Sequence, residues 1–285
     1  MKLFLRTFLV LVLFLAPAIN AKTLKVISRQ SEIDVAQAYY FNLLQAALER
    51  ASIEAFELKT VDASGLSQGR MLQLLENGFI DVYWTGTTLA RERRFLAIRV
   101  PLMKGLLGYR VSIIRKDVVG DFTAMSIDSL KQRVACQGEH WPDTKILEHN
   151  DYAVAPVALY KRMFEMVSLG RCDYFPRAIF EAYGELEQAQ RKSPNLSVYD
   201  DTILYYPFPI YFFVRADQEA LASVIEEGLK AMIASGEFDT YMMSHPLTKN
   251  LYPLKQWTDK RIVTLENPFL PSDTPIDDSS LFLKL

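Results

Sequence analysis

The sequence has little of what metal and redox chemistry usually needs: three histidines and two cysteines among 285 residues. His140, His149 and His245 show no HxxxH or HExxH spacing, which argues against a zinc site. GxSxG, P-loop and GxGxxG stretches are also missing, and no catalytic constellation or cofactor motif stands out. No excess of one charge sign exists either. With 32 basic and 34 acidic residues, the net charge of −2 offers no strongly basic field for nucleic acid. Long apolar runs are limited to residues 8–19, which excludes a bundle of membrane spans of about 20 residues each. What is present is apolar surface. Half of the residues are hydrophobic, enough to exclude a disordered chain, and the length suits one large domain or two smaller ones.

The first residues have the layout of an export signal. Lys2 and Arg6 form a positive start, residues 7–16 an apolar stretch, and Pro17 ends it ahead of Ala21. The stretch is shorter than a membrane span requires, so residues 1–21 are expected to be a cleavable signal peptide and the protein exported. An oxidising compartment would permit a disulfide between Cys136 and Cys172. Two buried free thiols are an equal alternative, because the strand reading puts the two residues at different heights.

Along the remaining chain, hydrophobic periodicity alternates between periods of two and 3.6. Residues 23–28 read as a strand. Asp34 is a candidate N-cap for a helix with Val35, Ala38, Phe41, Leu44 and Leu48 on one face. Residues 54–61 read as a second strand. Met71, Leu74 and Leu75 mark a second helix closed by Asn77-Gly78, and residues 80–84 a third strand. A second β-α-β-α-β series covers residues 130–175: strands at 131–137, 152–155 and 173–176, with helices starting near Pro142 and carrying Leu159, Met163, Met166 and Val167. Long strand-like runs at 105–115 and 206–215 join the two series. A helix with Leu221, Ile225, Leu229 and Met232 follows, and the tail after about 246 is rich in Pro, Asp and Ser and expected to pack as extended segments. Such alternation predicts parallel sheets flanked by helices. Two units and two connections predict two lobes with a double crossing and a ligand cleft between them.

Residues 81–101 read DVYWTGTTLARERRFLAIRVP. This resembles the stretch in type II periplasmic solute-binding proteins of extracellular family 3, the polar-amino-acid binders. There, a strand leads into Gly/Ser and Ser/Thr positions, then an Arg and a Pro. LLENGFID at 74–81 and MVSLGRCDYFPR at 166–177 resemble that family's two L-x-x-G-x-x-D strand approaches. The similarity spans nearly all of 24–240. It implies an α/β fold of two lobes, each a mainly parallel sheet with flanking helices, and a double hinge crossing. The expected parts are 22–110 as the first part of lobe one, 111–211 as lobe two, and 212–285 as return strand, completion of lobe one and tail.

The resemblance also implies site residues. Arg93 matches the Arg that clamps a ligand carboxylate, with Thr88 and the Thr85-Gly86 turn beside it; a guanidinium holds a carboxylate through two parallel charge-assisted hydrogen bonds. The alternative is an ordinary solvated charge in the RERR run. Arg177 stands where many amino-acid binders have an Asp for the ligand ammonium, which implies an acidic or amine-poor ligand; an internal salt bridge to Glu181 is the competing reading. Trp141, Asp143 and Thr144 fall in the loop that crosses the cleft in the family, as ligand contacts or as plain helix capping. Trp84 is an aromatic wall or a core residue, and Arg70 a further anion donor or a surface charge.

The resulting expectation is a monomeric, non-enzymatic periplasmic binding protein. It would close around a small polar, carboxylate-bearing solute for an inner-membrane transporter or a sensor, with no cofactor, metal or nucleic acid. The alternative is an enzyme on the same fold, of the prephenate or arogenate dehydratase kind, which needs a buried acid of raised pKa facing the ligand.

Overall fold

A computed structural model describes residues 21–51 and 55–285. The expected signal peptide therefore lies outside the described residues, apart from its last position, Ala21. The first series is β1 (Lys22–Ile27), α1 (Gln37–Ala51), β2 (Phe56–Val61), α2 (Gln68–Glu76), β3 (Tyr83–Gly86), α3 (Leu89–Glu92) and β4 (Phe95–Ile98). The second is β5 (Tyr109–Arg115), α4 (Val119–Ala124), α5 (Ile127–Lys131), β6 (Ala135–Gly138), α6 (Pro142–His149), β7 (Val154–Val157), α7 (Tyr160–Ser168), β8 (Tyr174–Ala178), α8 (Ala182–Ala189) and β9 (Leu196–Tyr205). The chain then returns through β10 (Ile210–Arg215), α9 (Glu219–Ala234), α10 (Glu237–Ser244) and β11 (Arg261–Thr264).

The α/β class and the two-lobed arrangement hold, but the sheets are mixed rather than mainly parallel. In the first lobe β1 and β2 are parallel, whereas β10 lies antiparallel between β3 and β4. The second lobe is one six-stranded sheet of order β11-β9-β5-β8-β6-β7. There β6 runs parallel to β7 and β8, while β5 is antiparallel to β8 and β9. The physical reason is connection type. Strands joined by a crossover helix come out parallel, but β5 and β10 enter straight from the other lobe and so run against their neighbours.

Several boundaries differ from the sequence reading for local reasons. A 3₁₀ turn at Leu106–Gly108 precedes β5, and Pro207 and Pro209 keep residues 206–209 out of β10. Residues 127–131, whose end was read as strand, form α5, capped by the Ser126 hydroxyl on Ser129 N. In α1 the buried face is Tyr39, Tyr40, Leu43, Leu44, Ala47 and Leu48, turned by about one residue from the expected one. Both tyrosines go inward, and Tyr39 places its hydroxyl on the Leu102 carbonyl at 2.9 Å. On the same helix, Gly228 of α9 touches Ala47: a Cβ there would meet the Ala47 carbonyl oxygen at 1.9 Å.

The tail is not simply extended, and it does not only complete lobe one. It forms 3₁₀ turns at Lys249–Leu251 and Leu254–Trp257, and β11 adds to the second lobe's sheet by pairing in parallel with β9. The half-exposed edge of β9 is thereby covered. Cys136 and Cys172 form a disulfide, since their Cα atoms are 5.6 Å apart. Cys172 precedes β8 rather than lying within it, and the parallel register Ala135↔Tyr174 brings it beside β6.

The two lobe-to-lobe connections run side by side. Tyr206 N donates to the Gly108 carbonyl at 3.3 Å, and Leu102 N to the Ile210 carbonyl at 3.0 Å. Gly108 is required there, because a Cβ would sit 2.1 Å from the Tyr206 carbonyl oxygen. Among the described residues no helix is long and apolar enough to cross a membrane, and no group of three or more His, Cys, Asp and Glu could hold a metal ion.

Candidate functional site

A cavity of about 110 Å³ lies between the lobes, outside the carboxyl ends of β1, β3 and β8. From the first lobe come Asp34, Tyr40, Gln68, Trp84, Thr85 and Gly86. From the second come Arg110, Trp141, Asp143, Tyr160, Arg177, Glu181 and Glu185, and Phe208 closes the hinge side. Phe208 packs onto Gly86 so closely that a Cβ would lie 2.1 Å from its ring. The first-lobe wall is aromatic: Trp84 and Tyr40 stack with ring centroids 5.7 Å apart.

The second-lobe wall is a buried ion network. Arg110 contacts Asp143 at 2.6 Å and Glu181 at 3.8 Å, and its Nε donates to the Tyr206 hydroxyl at 3.1 Å. Tyr206 in turn donates to Asp143 at 2.5 Å. Arg177 holds Glu185 in a two-pronged pair at 2.6 and 2.7 Å and reaches Glu181 at 2.8 Å. Its guanidinium is enclosed by Trp141, Phe175 and Tyr160, with 5.0, 5.2 and 5.5 Å to the ring centroids. Glu181 is reached by both arginines. Burial lifts its pKa to about 7, opposed by Arg177 and reinforced by the neighbouring Glu185.

Asp34 faces this network from lobe one. Its carboxylate accepts backbone N–H groups of Gln30, Ala36 and Gln37 at 3.1–3.2 Å, so it does organise the start of α1 as its N-cap reading required. Burial raises its pKa against those bonds, and the charge of Glu185 adds to the rise. Among the described residues it has no ion-pair partner.

The turn after β3 is arranged around Arg91, not Arg93. Thr88 caps α3 by accepting from Arg91 N at 3.2 Å, and this cap sets which arginine turns inward. The buried Arg91 side chain donates to Thr85 Oγ1 at 2.8 Å, the Gly86 carbonyl at 2.6 Å, Gln68 Oε1, and the His140 carbonyl across the lobes at 3.0 Å. Burial lowers its pKa to about 10.

Of the residues singled out in the sequence, the structure brings Trp84, Thr85, Gly86, Trp141, Asp143 and Arg177 to the cavity. It does not bring Arg93, which ends α3 exposed, two positions past the one that points inward. Arg70 is exposed on α2 and donates to Gln73. Thr88 acts as a helix cap, and Thr144 is buried with its hydroxyl on the Gly138 carbonyl at 2.8 Å. Arg177 makes the internal salt bridge to Glu181 and a two-pronged one to Glu185, so its charge is answered by protein carboxylates. Sequence reasoning missed Arg91, Arg110, Tyr40, Tyr160 and Glu185, and named Glu181 only as a salt-bridge partner of Arg177. A signal existed for two of them: Arg91 lies three residues after the cap Thr88, and Arg110 is a charge inside an apolar strand run.

No family model and no curated protein matches the sequence. Solved structures do resemble the fold. A periplasmic His/Glu/Gln/Arg/opine family-binding protein from Silicibacter pomeroyi, in complex with lysine, matches at 11% identity and TM-score 0.60, over 78% of this chain and 95% of that one. An arginine-specific periplasmic binding protein from Salmonella typhimurium matches at 18% identity and TM-score 0.57, over 78% and 98%. A histidine kinase sensor domain similar to periplasmic binding proteins matches at 14% identity and TM-score 0.55, over 78% and 94%. The chain thus has the type II periplasmic-binding-protein fold.

Proposed function

We propose that the protein is an exported, monomeric solute-binding protein that closes its two lobes on one small polar molecule and presents it to an inner-membrane transporter or a sensor. The observation that carries this reading is the interlobe cavity, whose polar and aromatic lining comes from both lobes and meets at two adjacent crossings. The amino-acid-binding proteins and the sensor domain of similar fold support it. The lobe limits belong to the same proposal, with the expected boundaries at 110 and 212 each moved by about two residues: β5 from Tyr109 belongs to the second lobe, β10 from Ile210 to the first, and β11 joins the second.

The expected ligand carboxylate loses its two supports, because Arg93 is outside the cavity and Arg177 is already paired. The enzymatic alternative asks for a buried acid of raised pKa. Glu181 has that property, but its carboxylate is held by Arg177 and accepts from Ala178 N. Turnover assays with prephenate and arogenate separate the two readings, with no conversion expected. The direct test is native mass spectrometry of freshly purified protein, followed by identification of the released molecule. One small solute per chain is expected. Protein that neither carries nor binds any small molecule would reject the proposal.

A further inference from the structure

Building on the reading of the cavity as a solute site, we infer that its occupant is an organic cation without a carboxylate, an alkyl amine, diamine or guanidine rather than an amino acid. The lining carries four carboxylates, Asp34, Asp143, Glu181 and Glu185, against the two guanidiniums of Arg110 and Arg177. Both guanidiniums are already answered, Arg110 by Asp143 and Arg177 by Glu185 and Glu181. Nη1 of Arg177 makes no hydrogen bond among the described residues, yet its guanidinium already serves two carboxylates. A further anion would enter a site whose acids outnumber its bases.

The remaining cation, Arg91, is not available to a ligand carboxylate. Each terminal guanidinium nitrogen carries two N–H groups. Nη1 uses both on Thr85 and Gly86, and Nη2 both on Gln68 and His140. All four acceptors are neutral protein oxygens, and one of them ties the lobes together. A ligand carboxylate would have to displace the bonds that close the cavity.

The complementary features favour a cation. Asp34 lines the cavity, and its hydrogen-bond partners among the described residues are all backbone donors. The hydroxyls of Tyr40 and Tyr160 are buried without a hydrogen-bond partner among the described residues and can accept from an ammonium or guanidinium N–H. Arg177 occupies the faces of Trp141 and Tyr160, which leaves the stacked Tyr40 and Trp84 beside Asp34 to receive a second cation.

The test uses pairs that differ only by the carboxylate: cadaverine with lysine, and agmatine with arginine. Purified protein, freed of co-purified solute by dialysis, is titrated calorimetrically with each, and with succinate. At least one amine is expected to bind ten times tighter than its amino acid, with succinate weaker than both. Asp34→Asn, which keeps a side chain able to cap α1, is expected to weaken amine binding tenfold or more. Tighter binding of lysine, arginine or succinate overturns the ligand class and leaves the solute-binding reading standing. So does a released molecule that bears a carboxylate. Unchanged affinity in Asp34→Asn overturns the assigned cation position. Absence of any bound or released small molecule overturns the solute-binding reading itself.

Discussion

Arg177 shows how a side chain with an obvious charge can have an unexpected partner. Its position in the strand suggests a ligand contact, but Glu181 and Glu185, four and eight residues on, close around it before any ligand arrives. Removing one partner of a buried ion pair is costlier than replacing the pair with apolar groups. Arg177→Ala is therefore expected to lower stability by about 3–5 kcal/mol in chemical denaturation, and Arg177→Met combined with Glu185→Leu to recover at least half of that loss. The same network makes stability depend on pH. Glu181 has a folded pKa of about 7, above its ordinary value of 4.5, so between these values the folded state binds more protons than the unfolded one. Its contribution is complete below about pH 4.5 and is lost as pH rises through 7, an effect of order 3 kcal/mol. Denaturation midpoints measured from pH 4.5 to 8 should fall because of this group, and the fall should flatten in Glu181→Gln. A slope unchanged by that substitution would remove Glu181 as its source.

At the scale of elements, the second lobe depends on a staple. The disulfide links β6 to the approach of β8 and closes a loop of 36 residues that contains α6, β7 and α7. Loop-closure entropy of the unfolded chain assigns such a crosslink about 4 kcal/mol. Unfolding with and without reductant should show a loss of that order, and Cys136→Ser/Cys172→Ser should match the reduced protein. The staple sits near the start of β6 and just before β8, at the end of the sheet away from Trp141 and Asp143, so it holds the sheet from the side opposite the cavity.

For the whole molecule, the tail adds a third link to the two crossings. After β11 in the second lobe, Glu266 exchanges bonds with Asn150 of that lobe at 2.9 and 3.0 Å. Phe269 then accepts from Leu89 N at the start of α3 at 2.8 Å, and Asp273 pairs with Arg99 at 2.6 Å, both in the first lobe. The end returns to the crossing, where Leu283 N donates to the Lys104 carbonyl at 2.9 Å and Phe282 covers Gly105. Opening the lobes must break or carry these contacts. Deleting residues 266–285 is expected to broaden the distance distribution between spin labels placed at the exposed Glu76 and Lys145, one on each lobe. An unchanged distribution would show that the tail does not restrain the hinge.

The order of elements was legible from sequence because periodicity and caps are local: Asp34 before α1, Gly78 and Gly170 after α2 and α7, and Pro142 at the first turn of α6 act within a few residues. The two α/β series and their long connections followed from the same signals. Strand direction at β5 and β10, the capture of β11 by the second sheet and the pairing of Cys136 with Cys172 depended on which segments meet after the chain crosses twice. The site divided in the same way. Trp84, Thr85, Gly86, Trp141 and Asp143 sit at strand ends and loop starts, where an open α/β fold places its ligands. That Arg91 and not Arg93 turns inward follows from the turn that the Thr88 cap sets, and Arg177 is neutralised because Glu181 before α8 and Glu185 within it fold back onto its guanidinium. Neither can be read from a run of charges, because a guanidinium's role is set by the oxygens within about 3 Å of it, and those come from residues the fold brings together.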